Sequence, residues 1–289
     1  MSLISFSRDK FIPSEEVSLN VRGNYLSVTR GYQVFTFFKT TNNGVPVFLD
    51  DHIDRIVGNA QSMQMNLSFT KDDIKSLVFQ TLEKNDFSRT ECNVMIIMAG
   101  KAPDDISGLV SSQEVDLFIV TSPIKRYPKE SYQNGISLGL YEFERIDAEV
   151  KTPYTYYGGM KAHRNLVHEG SFDEVLYTSN KEVLEGTTFS FFIVKNESVI
   201  TTKLDGRILG SVTRKNLLRL MKAHNVNHNE SKILIEDLQS SSEAFIASAN
   251  RDLIPVVSID GHLIGDGKIG PKYQELMNLY QQELLNITI

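Results

Sequence analysis

The chain has 289 residues, of which 41% are hydrophobic and 23% are charged, an ordinary composition for a globular protein with room for two domains. The net charge of −6 argues against a nucleic-acid-binding surface, and the single cysteine, Cys92, excludes an intramolecular disulfide and a cysteine-rich metal cluster. There is no run of 18 apolar residues and no secretion signal, so we expect a cytoplasmic protein without a membrane span.

The first part of the chain alternates between strand-like and helical apolar patterns. Two segments have apolar residues at helical spacing, His52–Met63 and Lys71–Glu83. Apolar and β-branched runs surround them and predict strands at Val34–Lys39, Val45–Leu49, Asn93–Met98 and Val115–Thr121. We therefore expect an N-terminal α+β domain over residues 1–121.

The pattern breaks at residues 122–134, which carry two prolines and no apolar period and are typical of an interdomain linker. Beyond it we expect a second α+β domain over residues 135–289. Its predicted strands are Ile136–Phe143, Asp173–Thr178, Phe245–Ala247, Pro255–Ile259 and a hairpin of Ser190–Val194 with Val199–Thr202. Its predicted helices are Val212–Ala223 and Gly270–Leu285. Strands and helices mix without a regular βαβ alternation, which argues against a doubly wound sheet.

The segment ILGSVTRKNLLRLM, residues 208–221, has the features of an anion-binding helix start. Gly210 frees the backbone, Ser211 is a favourable N-cap, and the N–H groups of Val212 and Thr213 would lie in the first turn. Such a terminus binds a phosphate through these donors and the helix dipole. A capped helix with nothing bound has the same sequence, so both interpretations stay open.

The segment FLDDHIDRI, residues 48–56, places Arg55 in the first turn of a helix, where a cation is unfavourable unless an anion lies near. Either a bound anion or the three aspartates of the segment would supply that charge. We interpret His52 as a surface or capping residue and not as a metal ligand, because no second histidine or cysteine lies at ligand spacing.

Two further side chains bring charge into apolar or aromatic sequence. Glu185 precedes a strongly apolar strand and would need a cationic or N–H partner if buried, although glutamate before Gly186 also suits an exposed turn. Lys151 follows strand-like sequence and is surrounded by tyrosines. A lysine half-buried among aromatic rings has a lowered pKa and becomes a nucleophilic amine, whereas most lysines are solvated.

Together, and in this order, these segments resemble the class IV pyridoxal-phosphate aminotransferases, which include branched-chain aminotransferases, D-amino-acid aminotransferases and aminodeoxychorismate lyases. FLDDHIDRI is similar to the family's F-x-L-x-x-H-L-x-R-L, and ILGSVTR to its L-P-G-I-T-R. FDEVLYTSNKEVLEGTTFSFFIV is similar to x-D-E-A-L-L-x-D-x-x-G-x-V-x-E-G-x-x-S-N-I-F-x-V. EAFIASANRDLIPVVSIDGHLIGDGKIGP is similar to D-E-V-F-x-T-x-T-x-x-x-I-x-P-V-x-x-I-D-G-x-x-I-G-x-G-x-x-G-P. The similarity covers nearly the whole chain.

The resemblance implies a two-domain, α+β fold type IV architecture with a pseudo-barrel second domain and pyridoxal 5'-phosphate in the interdomain cleft. It assigns the cofactor phosphate to an arginine, a helix start and a turn, namely Arg55, Val212, Thr213, Ser248 and Ala249. Glu185 would pair with the pyridine nitrogen, Tyr156 would reach the phenolic oxygen, and a lysine would form the Schiff base and shuttle the Cα proton. Relatives are homodimers, so we expect a homodimer that uses no metal and binds neither nucleic acid nor membrane.

Two lysines compete for the Schiff-base position. Lys161, in GGMKAHRN, copies a K-x-x-x-N version of the family motif but lies only 24 residues before Glu185, too few for the family's intervening helix. Lys151 lies 34 residues before Glu185, which leaves room for that helix at residues 154–168. VKTPYTYY also matches the family's K-T-x-N-Y in position, with Tyr154 or Thr155 in place of asparagine. We therefore expect Lys151 to be the reactive lysine.

The substrate side departs from the family pattern. GYQVFTFFK, residues 31–39, stands where the family has G-D-G-V-F-E-T-x-R, with Thr36 in place of the glutamate. The strand NVMIIMAG has no arginine for a substrate carboxylate, whereas Arg30 stands at a position that faces the substrate in relatives. We interpret Arg30 and Thr36 as substrate-binding residues, with a plain surface arginine as the alternative for Arg30.

The expected reaction is transamination between an amino acid, of the branched-chain or D-amino-acid type, and a 2-keto acid. A lyase of the aminodeoxychorismate type, which eliminates pyruvate with the same cofactor, is one alternative that the atypical Thr36 leaves open. A non-catalytic cofactor-binding homologue is another, because several positions are altered. The presence of Lys151, Glu185 and Arg55 favours an active enzyme.

Overall fold

The computed structural model of the chain describes residues 3–87, 90–102 and 113–287. The chain divides into two compact units. Unit 1 comprises Met1–Lys125, Val150–Tyr154 and Ile287–Ile289, and unit 2 comprises Arg126–Glu149 and Thr155–Asn286. Among the described residues, no helix combines the length and the apolar character needed to cross a membrane.

Unit 1 is built on a five-stranded antiparallel sheet with the strand order β2-β1-β5-β4-β3. Its strands are β1 (Ile4–Ser7), β2 (Lys10–Pro13), β3 (Gln33–Lys39), β4 (Cys92–Gly100) and β5 (Val115–Pro123). Its helices are α1 (Tyr25–Arg30), α2 (Leu49–Ser62), α3 (Lys71–Lys84) and a 3-10 helix at Ser14–Glu16. Residues three and four apart on α2, such as Ile53, Ile56 and Val57, share one helix face and are buried in the core with side chains of the sheet.

One predicted strand of unit 1, Val45–Leu49, is wrong. Pro46 makes an isolated bridge with Thr40, and α2 already begins at Leu49 after Phe48, whose φ is 51°. The alternating pattern arose because Val45 and Val47 are both buried. A proline between them has no N–H to give to a strand ladder, so the segment passes into the helix without forming a strand.

The short segment Val150–Tyr154 returns to unit 1 and lies along β3. The Phe35 N–H donates to the Lys151 carbonyl oxygen over 3.0 Å, and the Lys151 N–H donates to Asn59 Oδ1 of α2 over 2.9 Å. The Thr152 hydroxyl donates to the carbonyl oxygen of Gly31, whose φ of 69° favours glycine. The backbone of Lys151 is therefore fixed by both β3 and α2, a placement that the sequence did not predict.

Unit 2 contains ten strands in one mixed sheet, with the order β11-β10-β9-β13-β14-β6-β7-β8-β12 and with β15 paired to β14. The strands are β6 (Ile136–Glu142), β7 (Glu174–Ser179), β8 (Glu182–Gly186), β9 (Ser190–Lys195), β10 (Ser198–Thr202), β11 (His228–Ser231), β12 (Ile233–Leu234), β13 (Glu243–Ser248), β14 (Asp252–Ile259) and β15 (His262–Leu263). Three pairs are parallel: β10 with β11, β14 with β6, and β6 with β7. The predicted hairpin is confirmed as β9 and β10, which turn at Asn196 and Glu197, both at positive φ.

The sheet of unit 2 curves until strands far apart in its order meet. The Thr202 hydroxyl of β10 donates to the Val183 carbonyl oxygen of β8 over 3.0 Å. Apolar residues of most of its strands line a common core between these ends. The expected α+β fold with a pseudo-barrel sheet is confirmed in this unit.

The helices of unit 2 are α4 (Lys129–Asn134), α5 (Tyr157–His163), α6 (Val212–Ala223), α7 (Ile235–Gln239) and α8 (Pro271–Asn286). The single helix predicted at residues 154–168 is divided into a 3-10 turn at Pro153–Tyr156, α5, and a π-helical turn at Arg164–His168. Close packing explains part of this irregularity. A Cβ at Gly158 would lie 2.2 Å from the Phe143 ring, so the helix needs glycine there although glycine weakens it.

Candidate active site

In unit 1, Lys151 lies beside the sheet with its side chain over an aromatic ring. Its Nζ is 4.6 Å from the centroid of the Phe35 ring, a cation–π contact with a neighbour on β3. The backbone bonds to β3 and α2 fix the residue from which this side chain extends. Lys161, the competing lysine, lies exposed in α5.

Arg55 reaches the same region of unit 1 from α2. Helical spacing places His52 and Arg55 on one face, where both meet Thr36 of β3. Arg55 Nη2 donates to Thr36 Oγ1 over 2.9 Å, and Thr36 Oγ1 lies 2.8 Å from His52 Nδ1. Thr36 is fully buried and His52 is 2% exposed. The interpretation of His52 as a surface or capping residue is therefore wrong, because its ring packs under the sheet beside Phe38.

Burial lowers the pKa of His52 well below its usual value, and the positive charges of Arg55 and Lys151 lower it further. The imidazole is therefore neutral at physiological pH. The shift also shows that the charges of Arg55 and Lys151 act on the same buried ring. Unit 1 thus brings together three residues that the sequence singled out, Thr36, Arg55 and Lys151, around a fourth, His52.

The aspartates of α2 do not all compensate Arg55. Asp50 pairs with Lys75 over 2.8 Å and Asp54 pairs with Lys71 over 2.6 Å, and both pairs are solvent-exposed contacts with α3. Lysines of the neighbouring helix thus bind two of the three carboxylates that were expected to balance the charge of Arg55. The expected position of Arg55 in the first turn of the helix is wrong, because α2 begins at Leu49, six residues before it.

The other substrate-side residue of unit 1, Arg30, is the last residue of α1 and is exposed. Its Nη1 donates to the Thr29 carbonyl oxygen over 3.1 Å. The hydroxyl of Thr36 contacts protein groups, as described above. Substrate contacts of Arg30 and Thr36 stay predictions.

In unit 2, Glu185 lies in β8 and is 6% exposed, so the alternative of an exposed turn residue is wrong. Its Oε1 accepts from Arg145 Nε over 3.1 Å and also from Nη2, and both carboxylate oxygens lie 3.2 Å from the Leu209 N–H. The buried carboxylate therefore has the cationic and N–H partners that burial demands. Arg145 itself is 7% exposed and donates to the Ala148 carbonyl oxygen and the Thr155 hydroxyl.

The role of Arg145 as the buried partner of Glu185 was not predicted from the sequence. It follows β6 in the segment ERID, where an arginine reads as an ordinary surface residue. Its partner Glu185 is 40 residues away in the chain, so no local pattern connects the two. The sequence did contain one indication of this pair, because a glutamate inside an apolar strand needs a cationic partner.

Tyr156 lies in the surroundings of this pair. Burial raises the pKa of Tyr177 strongly; Arg145 opposes the shift, whereas the charges of Glu185 and Tyr156 add to it. These groups therefore act on one phenol in unit 2. Tyr156 closes the 3-10 turn at Pro153–Tyr156 and is half-buried.

The start of α6 is linked to Glu185 through Leu209, three residues before Val212. The predicted helix Val212–Ala223 is confirmed with these bounds, and Ser211 is its N-cap, its Oγ accepting from the Arg214 N–H over 3.4 Å. The first turn has no acidic residue. A Cβ at Gly210 would meet no heavy atom within 4 Å, so the space before the helix is open.

The Ser248–Ala249 turn after β13 is held by an anchor that the sequence also missed. Arg251 Nη2 pairs with the buried Glu174 over 2.8 Å, and the guanidinium lies 4.4 Å from the Tyr127 ring centroid. Tyr127 in turn donates to Glu174 over 2.6 Å. A buried, stacked ion pair of this kind limits the movement of the turn from which it extends.

The family model described as amino-transferase class IV matches residues 33–259. A D-alanine aminotransferase of Bacillus licheniformis is 28% identical over 265 residues, which is 90% of this chain and 91% of that protein. The branched-chain aminotransferase of Thermoproteus uzoniensis, solved with norvaline, has a TM-score of 0.88 at 20% identity and covers 99% of this chain and 95% of its own. That of Thermobaculum terrenum, in its PLP form, has a TM-score of 0.86 at 21% identity, covering 98% and 94%.

Proposed function

The chain belongs to the class IV aminotransferases, which depend on pyridoxal 5'-phosphate, and on this premise we propose a specific reaction and a specific reactive residue for it. Aminotransferases of this class act on amino acids and keto acids. The proposed reaction moves an amino group between an amino acid of the branched-chain or D-amino-acid type and a 2-keto acid. The proposed reactive residue is Lys151, through a Schiff base to the cofactor.

The observation that carries this proposal is the cluster of Lys151, Arg55 and His52 in unit 1. An aldehyde cofactor with a phosphate group needs an amine for its carbonyl carbon and a cation for its phosphate. Lys151 and Arg55 supply one of each, and both charges act on the same neutral ring of His52. Lys161, by contrast, is exposed.

The residues present fit pyridoxal phosphate by the chemistry of their donors. A guanidinium is suited to a phosphate, and so are the backbone N–H groups at the start of a helix whose first turn has no acidic residue. A buried carboxylate is suited to a protonated ring nitrogen. We assign the phosphate to Arg55, Val212, Thr213, Ser248 and Ala249. We assign the ring nitrogen to Glu185 and the phenolic oxygen to Tyr156.

When bound, the cofactor supplies an electron-withdrawing ring that accommodates the electron pair left by removal of the Cα proton. Lys151 takes that proton from Cα and later returns a proton, acting first as general base and then as general acid. Glu185, held by Arg145 and the Leu209 N–H, accepts from the ring nitrogen and so favours its protonated form. Arg30 binds the substrate carboxylate in this proposal, because it is an exposed cation at the end of α1.

We include a homodimer in the proposal. Several large apolar side chains are exposed on the single chain: Val21 (64%), Ile146 (75%), Tyr157 (76%) and Met160 (69%). Tyr157 and Met160 are three residues apart on α5 and so share a helix face. A second chain packed on this face of α5 would bury the two side chains. Light scattering of the purified protein tests the dimer, and a monomer at micromolar concentration would contradict it.

The test of the reaction compares wild type with Lys151→Ala and its matched control Lys161→Ala. We expect wild type and Lys161→Ala to bind pyridoxal phosphate, to become covalently labelled at Lys151 on borohydride reduction, and to convert a keto acid into a new amino acid. Lys151→Ala should lose both the label and the product. Peptide mass spectrometry locates the label and chromatography identifies the product.

Three results would contradict the proposal in different ways. A label at Lys161 would show that the reactive lysine is wrong while leaving the enzyme class in place. Pyruvate and an aminobenzoate formed from aminodeoxychorismate, without a new amino acid, would show a lyase. A covalent label without any product from branched-chain, D-amino-acid or aminodeoxychorismate substrates would show a cofactor-binding homologue without catalysis.

A further inference from the structure

The hydroxyl of Thr36 lies at the centre of the cluster in unit 1. It is fully buried, and its two partners among the described residues are Arg55 Nη2 at 2.9 Å and His52 Nδ1 at 2.8 Å. Both partners come from α2, where they are three residues apart. The hydroxyl therefore joins a guanidinium to an imidazole.

The chemistry of these groups fixes the direction of the hydrogen bonds. A guanidinium only donates, so the Thr36 oxygen accepts from Arg55. The hydroxyl has a single hydrogen, and the acceptor within its reach is His52 Nδ1. Because a buried hydroxyl hydrogen without an acceptor is costly, the hydroxyl donates to His52. It follows that Nδ1 carries no hydrogen and that the neutral ring is protonated at Nε2.

The surroundings of His52 agree with this direction. The charged groups that act on it are Arg55 on α2 and Lys151 on the Val150–Tyr154 segment, and both are cations that oppose its protonation. The remaining face of the ring lies against Phe38, with the ring centroids 4.8 Å apart. A protonated imidazole would instead place two cations on one hydroxyl.

We propose that Thr36 and His52 form a one-way hydrogen-bond relay that holds the Arg55 guanidinium in place for the cofactor phosphate without adding negative charge beside it. The inference rests on the proposed function, since it takes Arg55 as a phosphate ligand. In this relay Thr36 and His52 are positioning residues, which act through Arg55. The family motif has a glutamate where this chain has Thr36, so here a neutral acceptor replaces a carboxylate.

The first experiment measures dissociation constants for pyridoxal phosphate and for inorganic phosphate in matched variants. Thr36→Val keeps the shape and removes the hydroxyl, and we expect it to weaken both affinities about tenfold or more, as for a lost hydrogen bond to a charged group. Thr36→Ser keeps the hydroxyl and should stay within about twofold of wild type. Thr81→Val is the control, because Thr81 is equally buried in unit 1 and its hydroxyl donates locally to the Leu77 carbonyl oxygen.

A second measurement needs no change at Thr36 and so does not depend on the folding of a Thr36 variant. Imidazole nitrogen NMR of the cofactor-free protein reports the protonation of each histidine ring, and loss of a signal in His52→Gln assigns His52. We expect a neutral ring protonated at Nε2 from pH 6.5 to 8. A ring protonated at Nδ1, or a cationic ring at pH 7, would overturn the relay.

The outcomes separate the relay from the function on which it rests. If wild type binds pyridoxal phosphate and Thr36→Val binds it equally well, the relay is wrong and the proposed function stands. If Thr36→Ser fails as badly as Thr36→Val, shape and not the hydroxyl is responsible, and the relay is again wrong. If wild type itself binds no pyridoxal phosphate, both proposals fall together.

Discussion

The two clusters of charged residues, one in each unit, handle charge in opposite ways. In unit 1, the cations Arg55 and Lys151 lie near a neutral His52, and one hydrogen bond of Arg55 ends on a hydroxyl. In unit 2, the carboxylate of Glu185 is already compensated by the guanidinium of Arg145. Unit 1 therefore places two cations beside a neutral ring, whereas unit 2 pairs a buried carboxylate with a cation of its own.

This difference has a consequence for stability. A buried ion pair depends on both partners, because removing one leaves an uncompensated charge away from water. Arg55 and Lys151 are only half-buried, so water reaches part of each side chain. Substitutions in unit 2 should therefore damage the fold of the free protein, and substitutions in unit 1 should show themselves in ligand affinity and pH dependence.

The largest effect is expected for Arg145→Met in the cofactor-free protein. Loss of the guanidinium leaves Glu185 buried with the Leu209 N–H, and we expect the free energy of unfolding to fall by about 3–5 kcal/mol, measured by urea denaturation. The control is Lys71→Met, which breaks the exposed pair with Asp54 and should cost less than about 1 kcal/mol. Equal losses in the two variants would contradict the distinction between the clusters.

A smaller effect on stability is expected for His52, and it arises from a buried neutral ring and not from an ion pair. Its folded pKa lies below 6.5, so as the pH falls through 6.5 the unfolded chain takes up a proton first and the folded state loses stability. We compare the free energy of unfolding of wild type with that of His52→Gln between pH 7.5 and 5.5. Below pH 6.5 the wild type should lose up to about 1.4 kcal/mol per pH unit relative to the variant. Above pH 7.5 the two proteins should show parallel pH dependence. A constant difference down to pH 5.5 would mean that His52 is not held neutral.

The smallest effect is expected at the start of α6. Ser211→Ala removes the side-chain acceptor for the Arg214 N–H, and its bond of 3.4 Å is long, so we expect a loss of about 0.5–1 kcal/mol in thermal or urea unfolding. Ser211→Asn, another favourable N-cap, should retain most of the stability. A loss above about 2 kcal/mol would indicate a role in packing beyond capping.

The sequence predicted the parts of the fold that depend on local periodicity. The helix Val212–Ala223 and the hairpin of β9 and β10 follow directly from apolar spacing and turn residues. α2 begins three residues earlier than predicted, and residues 154–168 form three kinds of helical turn instead of one. The second difference arises where tertiary packing overrides local preference, at Gly158 against the Phe143 ring.

The sequence was less able to predict the partners of buried charges. It indicated that Glu185 needs a cation, but Arg145 lies 40 residues away in the chain. The pairing of Arg251 with Glu174 and the burial of His52 under β3 were likewise not predicted. Each joins residues that no repeat or spacing relates, so only the folded chain identifies them.

By itself, the sequence indicated the class of this protein, because its motifs resemble, in their order, those of one family. Tertiary structure decided which groups lie beside each charge. The physical reason is the range of the interactions. Helical and strand periods act over a few residues, whereas burial and Coulomb interaction depend on distances in space, and these are set only when Thr36, Arg55 and Lys151 are brought together from three separate segments.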